Sequence, residues 1–386
     1  MYDINALREN EFPLTASNLY FNTASISPIP KRTLKKVQWS ANLLAEQPIL
    51  HFQNDGVPMF EAFGEKFRKY INAEYTSEIV PITSTGSGLN AVAQSLDIKA
   101  GQNILFCDME FPTNAYPWMS LERDGIEIRM VPHIDGGLEL EQLAPLVDEN
   151  TKLVAASAVQ FFTGHRTDLK AIGEFCHEHN ILFAVDAIQA LGHRAFDVQA
   201  LHIDILVSGG QKSMMAPPGV GMMYVRESVA NAMTPRMIGC NSTQDWIFWL
   251  DYDLTPLAGA SRFAAGTPNV PGMFAMVESL SLIDELGVEH IDQHTTALAA
   301  TTIDMLEQFN FPIVTPRQSH GSIVTFCFDE DNGKTDAFSE HLSINQVSVA
   351  KHLSPQGVPH VRIAFHCYNE EIEITKLEGI IKDYVS

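Results

Sequence analysis

The stretch "DILVSGGQKSMMAPPGVGMMYVR", Asp204 to Arg226, sets a single lysine, Lys212, between glycines and methionines, with apolar runs on either side. Lysines are seldom buried, because an unpaired ammonium in an apolar setting is costly. A lysine at this position therefore implies a special use. The run "DILVSG" (204–209) has the near-continuous apolar character of a strand covered on both faces. Upstream, "NILFCDME" (103–110), "IEIRMVP" (126–132), "KLVAASAVQ" (152–160) and "ILFAVDA" (181–187) repeat it. Between two of them, "TDLKAIGEFCHEHN" (167–180) has helical spacing, with Leu169, Ile172 and Phe175 or Cys176 on one face. Strands alternating with helices predict an α/β fold with a mostly parallel sheet covered on both sides.

Composition sets outer bounds. The 386 residues are 45% hydrophobic and 19% charged, ordinary for a globular protein. With 47 acidic against 25 basic residues the formal net charge is -22, which argues against nucleic acid or an anionic membrane as partner. Five scattered cysteines with no C-x-x-C pair fit a reducing compartment. The N-terminus lacks the pattern of a signal peptide and no apolar run is long enough to cross a bilayer, so a cytoplasmic location is expected. Loops and aromatics dominate 230–270, including Trp246 and Trp249, which read as interface or core aromatics. A long helical segment (about 271–310), strands at 322–328 and 360–365 and a final helix from about 369 predict a smaller C-terminal α+β domain. The expected division is an N-terminal segment 1–20, a large domain 21–265 and a small domain 266–386.

In open α/β sheets ligands gather at the carboxyl ends of the strands. Three candidates fall there. "TSTGSGLNAVAQSL" (83–96) is a small-residue turn feeding a helix, whose free N–H groups and the hydroxyls of Thr85 and Ser87 suit a phosphate. "VDAIQALG" (185–192) puts Asp186 at a strand end with Gln189 three residues on. "SGGQK" then brings Lys212. Singly, the turn and the acid each also read as ordinary helix caps. Together, a phosphate cup, a buried acid and a lysine suit pyridoxal phosphate, with the acid at the pyridine nitrogen and the lysine as Schiff-base former. "CHEH" (176–179) has poor ligand spacing on an amphipathic helix, and no metal is expected.

These residues resemble the class V aminotransferases, pyridoxal phosphate enzymes of fold type I, over most of the chain and in the family's order. The resemblance rests on "LYFNTASISPIP" (19–30), "TSTGSGLN" (83–90), "EFPTNAYPW" (110–118), "VDAIQALG", "SGGQKS", "SRFAAGTPN" (261–269) and "VRIAFHCYNEEIEI" (361–374). It implies a large domain with a mostly parallel sheet, a small C-terminal α+β domain, and a homodimer with shared active sites. It also implies roles. Lys212 and Asp186 are catalytic. Gln189 bonds the phenolate oxygen. Thr85, Gly86, Ser87 and Gln211 hold the phosphate. Phe111 stacks on the ring, Thr267 reaches the partner subunit's phosphate, and Arg362 takes the substrate carboxylate. Arg166 resembles a position at the cofactor edge and reads equally as a surface pair.

The reaction divides the resemblance. "QKSMMAPPG" and "TGSG" look like the alanine–glyoxylate and serine–pyruvate aminotransferases. "EFPTNAYPW" and "RFAAGTPN" look like the cysteine desulfurases, selenocysteine lyases and isopenicillin N epimerases. A persulfide-forming desulfurase needs a cysteine on a mobile loop before the arginine strand, and "INQVSVAKHLSPQGVPH" (344–360) has none. Phe111 stands where many lyases carry a histidine, and a phenyl ring relays no protons. On these grounds the expected activity is an aminotransferase acting on a small amino acid. The alternative is a C–S lyase, cysteine desulfurase-like or epimerase-type enzyme without the loop cysteine. A non-catalytic cofactor-binding module is a third reading, separated from both by Lys212→Ala. His352 and His360, flanking the arginine strand, read as pocket-shaping or structural residues.

Overall fold

The computed structural model describes residues 2–244, 250, 252–328 and 333–386; Trp246 and Trp249 lie outside them. Its strands are β1 (Leu19–Tyr20), β2 (Ile79–Ile82), β3 (Asn103–Cys107), β4 (Glu127–Val131), β5 (Thr151–Ser157) and β6 (Leu182–Asp186). They continue as β7 (Ile205–Gly209), β8 (Gly221–Val225), β9 (Ile323–Phe326), β10 (Val347–Ser348), β11 (Ala350–Leu353) and β12 (Pro359–Ala364). Seven form one sheet in the order β2-β8-β7-β6-β5-β3-β4. β8 runs antiparallel to β2 and β7, and the remaining pairs are parallel.

Alternation along each buried strand decides which helix it meets. Ile104 and Phe106 pack with Leu153, Ala155, Val207 and Met223 under Leu89 and Val92 of the helix Thr85–Ser95. Leu105 and Cys107 point the other way, into a core with Val154, Phe183, Val185, Leu206 and Met222. That face is covered by Leu169, Ile172 and Cys176 of the helix Leu169–Glu178, with Phe175 only partly buried beside them. Met273, Met276, Leu280 and Ile283 of the helix Val270–Leu286 share the same core. Every strand expected between 103 and 209 is present, somewhat shorter than the apolar runs. β8 sits in the apolar run after Lys212, and its antiparallel direction leaves no periodicity signal of its own.

The long helical segment is two helices, Val270–Leu286 and Val288–Gln308. Gly287, at φ 80°, ends the first, a backbone conformation that costs a residue with a Cβ. The second helix packs on a three-stranded antiparallel sheet, β11-β12-β9, through Leu298, Ile303, Val324, Phe326, Val361 and Ile363. β1 pairs with β10, and Phe21 joins this smaller core.

β3, β5, β6 and β7 are parallel, so their carboxyl ends open onto one edge. The segments beginning at Asp108, Ala158, Ala187 and Gly210 all leave from that edge. The last two lock together. Gly192 N donates to Ser213 Oγ at 3.2 Å, and Ser213 Oγ donates to Ile188 O at 2.9 Å. A Cβ on Gly192 would fall on the carbonyl oxygen of Ser213. Gly192→Ala is therefore expected to displace the Lys212 turn and cost about 1–3 kcal/mol of stability. In urea unfolding the midpoint should fall with an unchanged slope.

Candidate active site

Lys212 follows a turn folded on itself: Gly210 N donates to Val220 O, Ala216 N to Gly210 O and Met215 N to Lys212 O. Met215 takes the left-handed conformation at φ 50° to close it. The turn aims Lys212 Nζ over the ring of Phe111, 5.3 Å from its centroid. Burial lowers the lysine to a pKa of about 8; Asp186 acts against that shift and Arg362 adds to it.

Asp186 ends β6 and is buried, with Oδ1 accepting from Ile188 N at 3.0 Å. Burial raises its pKa to about 6, against the Ile188 hydrogen bond and the charge of Lys212. Gln189 Nε2 donates to Ala24 O at 3.0 Å. This contact ties the N-terminal segment "NTAS" to the strand edge.

The small-residue turn opens the helix Thr85–Ser95. Ser84 and Ser87 form a reciprocal cap there: Ser87 N donates to Ser84 Oγ, and Ser84 N donates to Ser87 Oγ, both at 3.0 Å. The Ser87 hydroxyl also donates to Ser84 O at 2.7 Å, so it is spent on the cap. Thr85 Oγ1 accepts from Gly209 N at 2.9 Å and joins the helix to the end of β7. A Cβ on Gly209 would lie 2.6 Å from Gln211 Oε1 and 3.3 Å from Thr85 Oγ1, so the glycine keeps that space open. Gly86 faces Thr113 of the Phe111 segment. Thr267 is exposed, on a cavity of about 870 Å³ that it shares with Ser87 and Cys240.

Arg362, on β12, is almost fully buried and, among the described residues, pairs with no carboxylate. Nη1 donates to Phe161 O at 2.6 Å and Nη2 to Ser25 Oγ at 2.8 Å, while Nε has no partner. Burial lowers its pKa to about 10. A buried guanidinium held by neutral groups is poised for an anion. Behind it, His366 Nε2 donates to Ser213 O and its Nδ1 accepts from Cys367 N. That imidazole, lowered to a pKa of about 4 by burial, joins the arginine strand to the lysine turn.

The structure thus gathers Lys212, Asp186, Gln189, Thr85, Gly86, Gln211, Phe111 and Arg362 around one strand edge, with Ser87 turned into the helix cap and Thr267 at the outer surface. Arg166 pairs with Asp292 through two hydrogen bonds of 3.0 and 2.7 Å. Sequence reasoning missed Glu110, the buried residue before Phe111. Its carboxylate accepts from Ser157 N at 2.8 Å, Ser157 Oγ at 2.5 Å and Gln160 Nε2 at 3.1 Å. It missed Ser25 and the Phe161 carbonyl as well. The only sequence signal for Glu110 was an acid inside the apolar run "FCDMEFP".

A cradle kept open by Gly209 beside Thr85, a buried acid, a lysine of lowered pKa beside an aromatic ring and an uncompensated arginine fit pyridoxal phosphate and an amino-acid carboxylate. Residues 19–377 match the family model described as aminotransferase class-V. The chain belongs to that family. A cysteine desulfurase of Salmonella agona (strain SL483) is 31% identical over 326 residues, 80% of this chain and 78% of that protein. A probable cysteine desulfurase of Pyrococcus abyssi (strain GE5 / Orsay) is 27% identical over 394 residues, 97% and 96% of the two chains. Among solved structures, the apo cysteine desulfurase from Thermococcus onnurineus NA1 matches with a TM-score of 0.90 at 24% identity, over 100% of this chain and 98% of that one. The complex of the cystine C-S lyase C-DES with its product cysteine persulfide matches at 0.87 and 22% identity, over 97% and 99%. Both structures share the fold. Within the class V family, these relatives stand on the lyase side of the alternatives that the sequence left open, not on the aminotransferase side toward which Phe111 pointed.

Burial raises the Glu110 pKa to about 7, against the hydrogen bonds from Ser157 and Asn114, and Asp186 adds to the rise. A carboxyl whose folded pKa lies above its unfolded value stabilises the fold when protonated, and that contribution is lost as pH rises through the folded pKa. Relative to Glu110→Gln, the wild-type chain should therefore gain stability as pH falls from about 8 to about 5. Urea midpoints of the two proteins across that range measure it.

Proposed function

We propose that the protein is a pyridoxal phosphate-dependent C–S lyase, which cleaves the Cβ–S bond of cysteine or a cysteine-derived amino acid by direct elimination and forms no enzyme persulfide. One observation carries the choice. The relatives are cysteine desulfurases, yet the segment before Arg362 is a closed hairpin without a cysteine. β11 and β12 pair from Ala350↔Arg362 to Leu353↔Pro359, and the turn is held by Ser354 N to Val358 O and Gly357 N to Ser354 O. Cys327 and Cys367 are buried, and burial raises the Cys367 thiol far above its ordinary pKa. Cys240 is exposed, but on the outer cavity with Thr267.

When bound, pyridoxal phosphate supplies the electron sink that labilises bonds at Cα. In this reading Thr85, Gly86 and Gln211 hold the phosphate at the helix N-terminus, Asp186 keeps the ring nitrogen protonated and Gln189 bonds the phenolate oxygen. Phe111 covers the ring, packed edge-on against Phe161. Arg362 binds the substrate carboxylate, two charge-assisted hydrogen bonds replacing its neutral partners. Lys212 Nζ, with a pKa lowered to about 8, accepts the Cα proton at neutral pH. Thr267 reaches the phosphate of a partner subunit in a homodimer.

The expected products, without added keto acid, are pyruvate and ammonia in equal amounts with sulfide from cysteine or with cysteine persulfide from cystine. A single conversion to the pyridoxamine form without ammonia would instead make it an aminotransferase. Lys212→Ala should abolish turnover, whereas Cys240→Ser should leave it unchanged. Arg362→Lys loses the bidentate contact. At about 1.5–3 kcal/mol for a hydrogen bond to a charged group, kcat/KM should fall roughly ten- to a hundredfold.

A further inference from the structure

β11 is the edge strand of the small sheet, and its register places His352 opposite His360, two pairs along from Ala350↔Arg362. Side chains two residues apart share a face of a strand, so His352, His360 and Arg362 point to the same side. Diagonal neighbours of this kind lie about 7–8 Å apart, within reach of one bound amino acid. Both imidazoles meet the Phe161–Phe162 segment. His360 packs on Phe162 at 5.1 Å and its Nδ1 donates to Val358 O at 2.8 Å. His352 packs edge-on against Phe161 at 5.7 Å, and its Nε2 is buried with no partner. Phe161 is also the residue whose carbonyl holds Arg362 and whose ring meets Phe111 at 4.9 Å. Lys212, Phe111, Phe161 and His352 thus form a continuous wall, with Arg362 behind Phe161. Burial, Arg362 and Lys212 together lower the His352 pKa to about 4, which keeps the ring neutral.

We propose that His352 is a catalytic residue whose Nε2–H donates a hydrogen bond to the departing sulfur as the Cβ–S bond breaks. This rests on the C–S lyase reading above. With the carboxylate on Arg362 and the Cα proton facing Lys212, the β-substituent is left to face the wall that carries the unpartnered Nε2. The balance closes without an oxidant. The Cα proton passes to Lys212 Nζ, and the electron pair of that bond ends in the new Cα=Cβ bond. The Cβ–S pair leaves with sulfur as a thiolate or hydrosulfide. The unsaturated product hydrolyses to pyruvate and ammonia. His352 keeps its proton and lowers the energy of the developing anion, as a fixed donor does at an oxyanion.

The test compares two leaving groups on the holoenzyme. S-methylcysteine expels a basic thiolate, whereas β-chloroalanine expels chloride, which needs little stabilisation. In His352→Ala, kcat for S-methylcysteine should fall about 10²- to 10³-fold, the usual effect of removing one such donor. Turnover of β-chloroalanine should persist, which also shows that the variant is folded. His352→Gln, which returns an amide N–H near the Nε2 position, should recover part of the lost rate. Equal kcat on both substrates relative to wild type, or an equal loss on both in Ala and Gln variants with wild-type melting curves, overturns the proposal. So does a rise in KM shared by both substrates, which would place His352 on the carboxylate. If the wild-type enzyme makes no pyruvate from either compound, the lyase reading itself fails and this proposal falls with it.

Discussion

Burial of three ionisable groups in one small volume governs this site. Lys212, Asp186 and Arg362 all lie where water would otherwise solvate them, and none has a full counter-ion. Asp186 partly compensates Lys212, and Arg362 opposes it. Such an arrangement is costly in an isolated chain, because each charge loses hydration without a matching partner. In the proposed function a phosphorylated pyridine ring and an amino-acid carboxylate answer each deficit: a protonated ring nitrogen for Asp186, a carbonyl carbon for the amine of Lys212, a carboxylate for Arg362. The rest of the fold keeps these deficits in place until the ligands arrive.

Ser213 shows how. Its side chain joins Gly192 N to Ile188 O, and its carbonyl accepts from His366. The residue after the lysine is therefore fixed both to the segment that follows Asp186 and to the strand exit that follows Arg362. His366 can do this because its tautomer is set at both nitrogens and burial holds it neutral. The arginine strand exit is thereby joined to the lysine turn, through the Ser213 carbonyl and through Cys367 Sγ against Met215 Sδ at 3.9 Å.

The parallel strands and the residues at their ends were legible because both signals are local. An apolar run ending in Asp186, or in the turn before Lys212, carries its meaning in a handful of neighbouring residues. Arg362 was legible through motif order. What stayed hidden depends on contacts between distant segments. Glu110 read as one more acid, and only the fold puts it on Ser157 and Gln160. Ser87 read as a phosphate ligand, because nothing in "TSTGSG" shows that its hydroxyl turns back to Ser84. The break at Gly287 lay inside an unbroken apolar periodicity. The hairpin closing 350–364 was seen from sequence only as a segment without cysteine.

That hairpin and Phe111 bear on the same chemical problem. A phenyl ring above the cofactor covers it but offers no proton and no hydrogen bond. On that ground alone elimination looked poorly served. In the proposed reading His352 supplies the donor instead, on the same wall and joined to Phe111 through Phe161. In place of a long loop, a tight β11–β12 turn draws His352 into the register of the arginine strand, where its Nε2 is buried and unpartnered. A mobile loop could bring a thiol to the sulfur and withdraw it, whereas an edge strand fixes one donor in one place. The first suits capture of sulfur on the enzyme, and the second suits its release. On the proposed lyase reading, the hairpin in place of the loop and phenylalanine in place of histidine at position 111 are two parts of one arrangement, in which the sulfur leaves the active site instead of being carried by it.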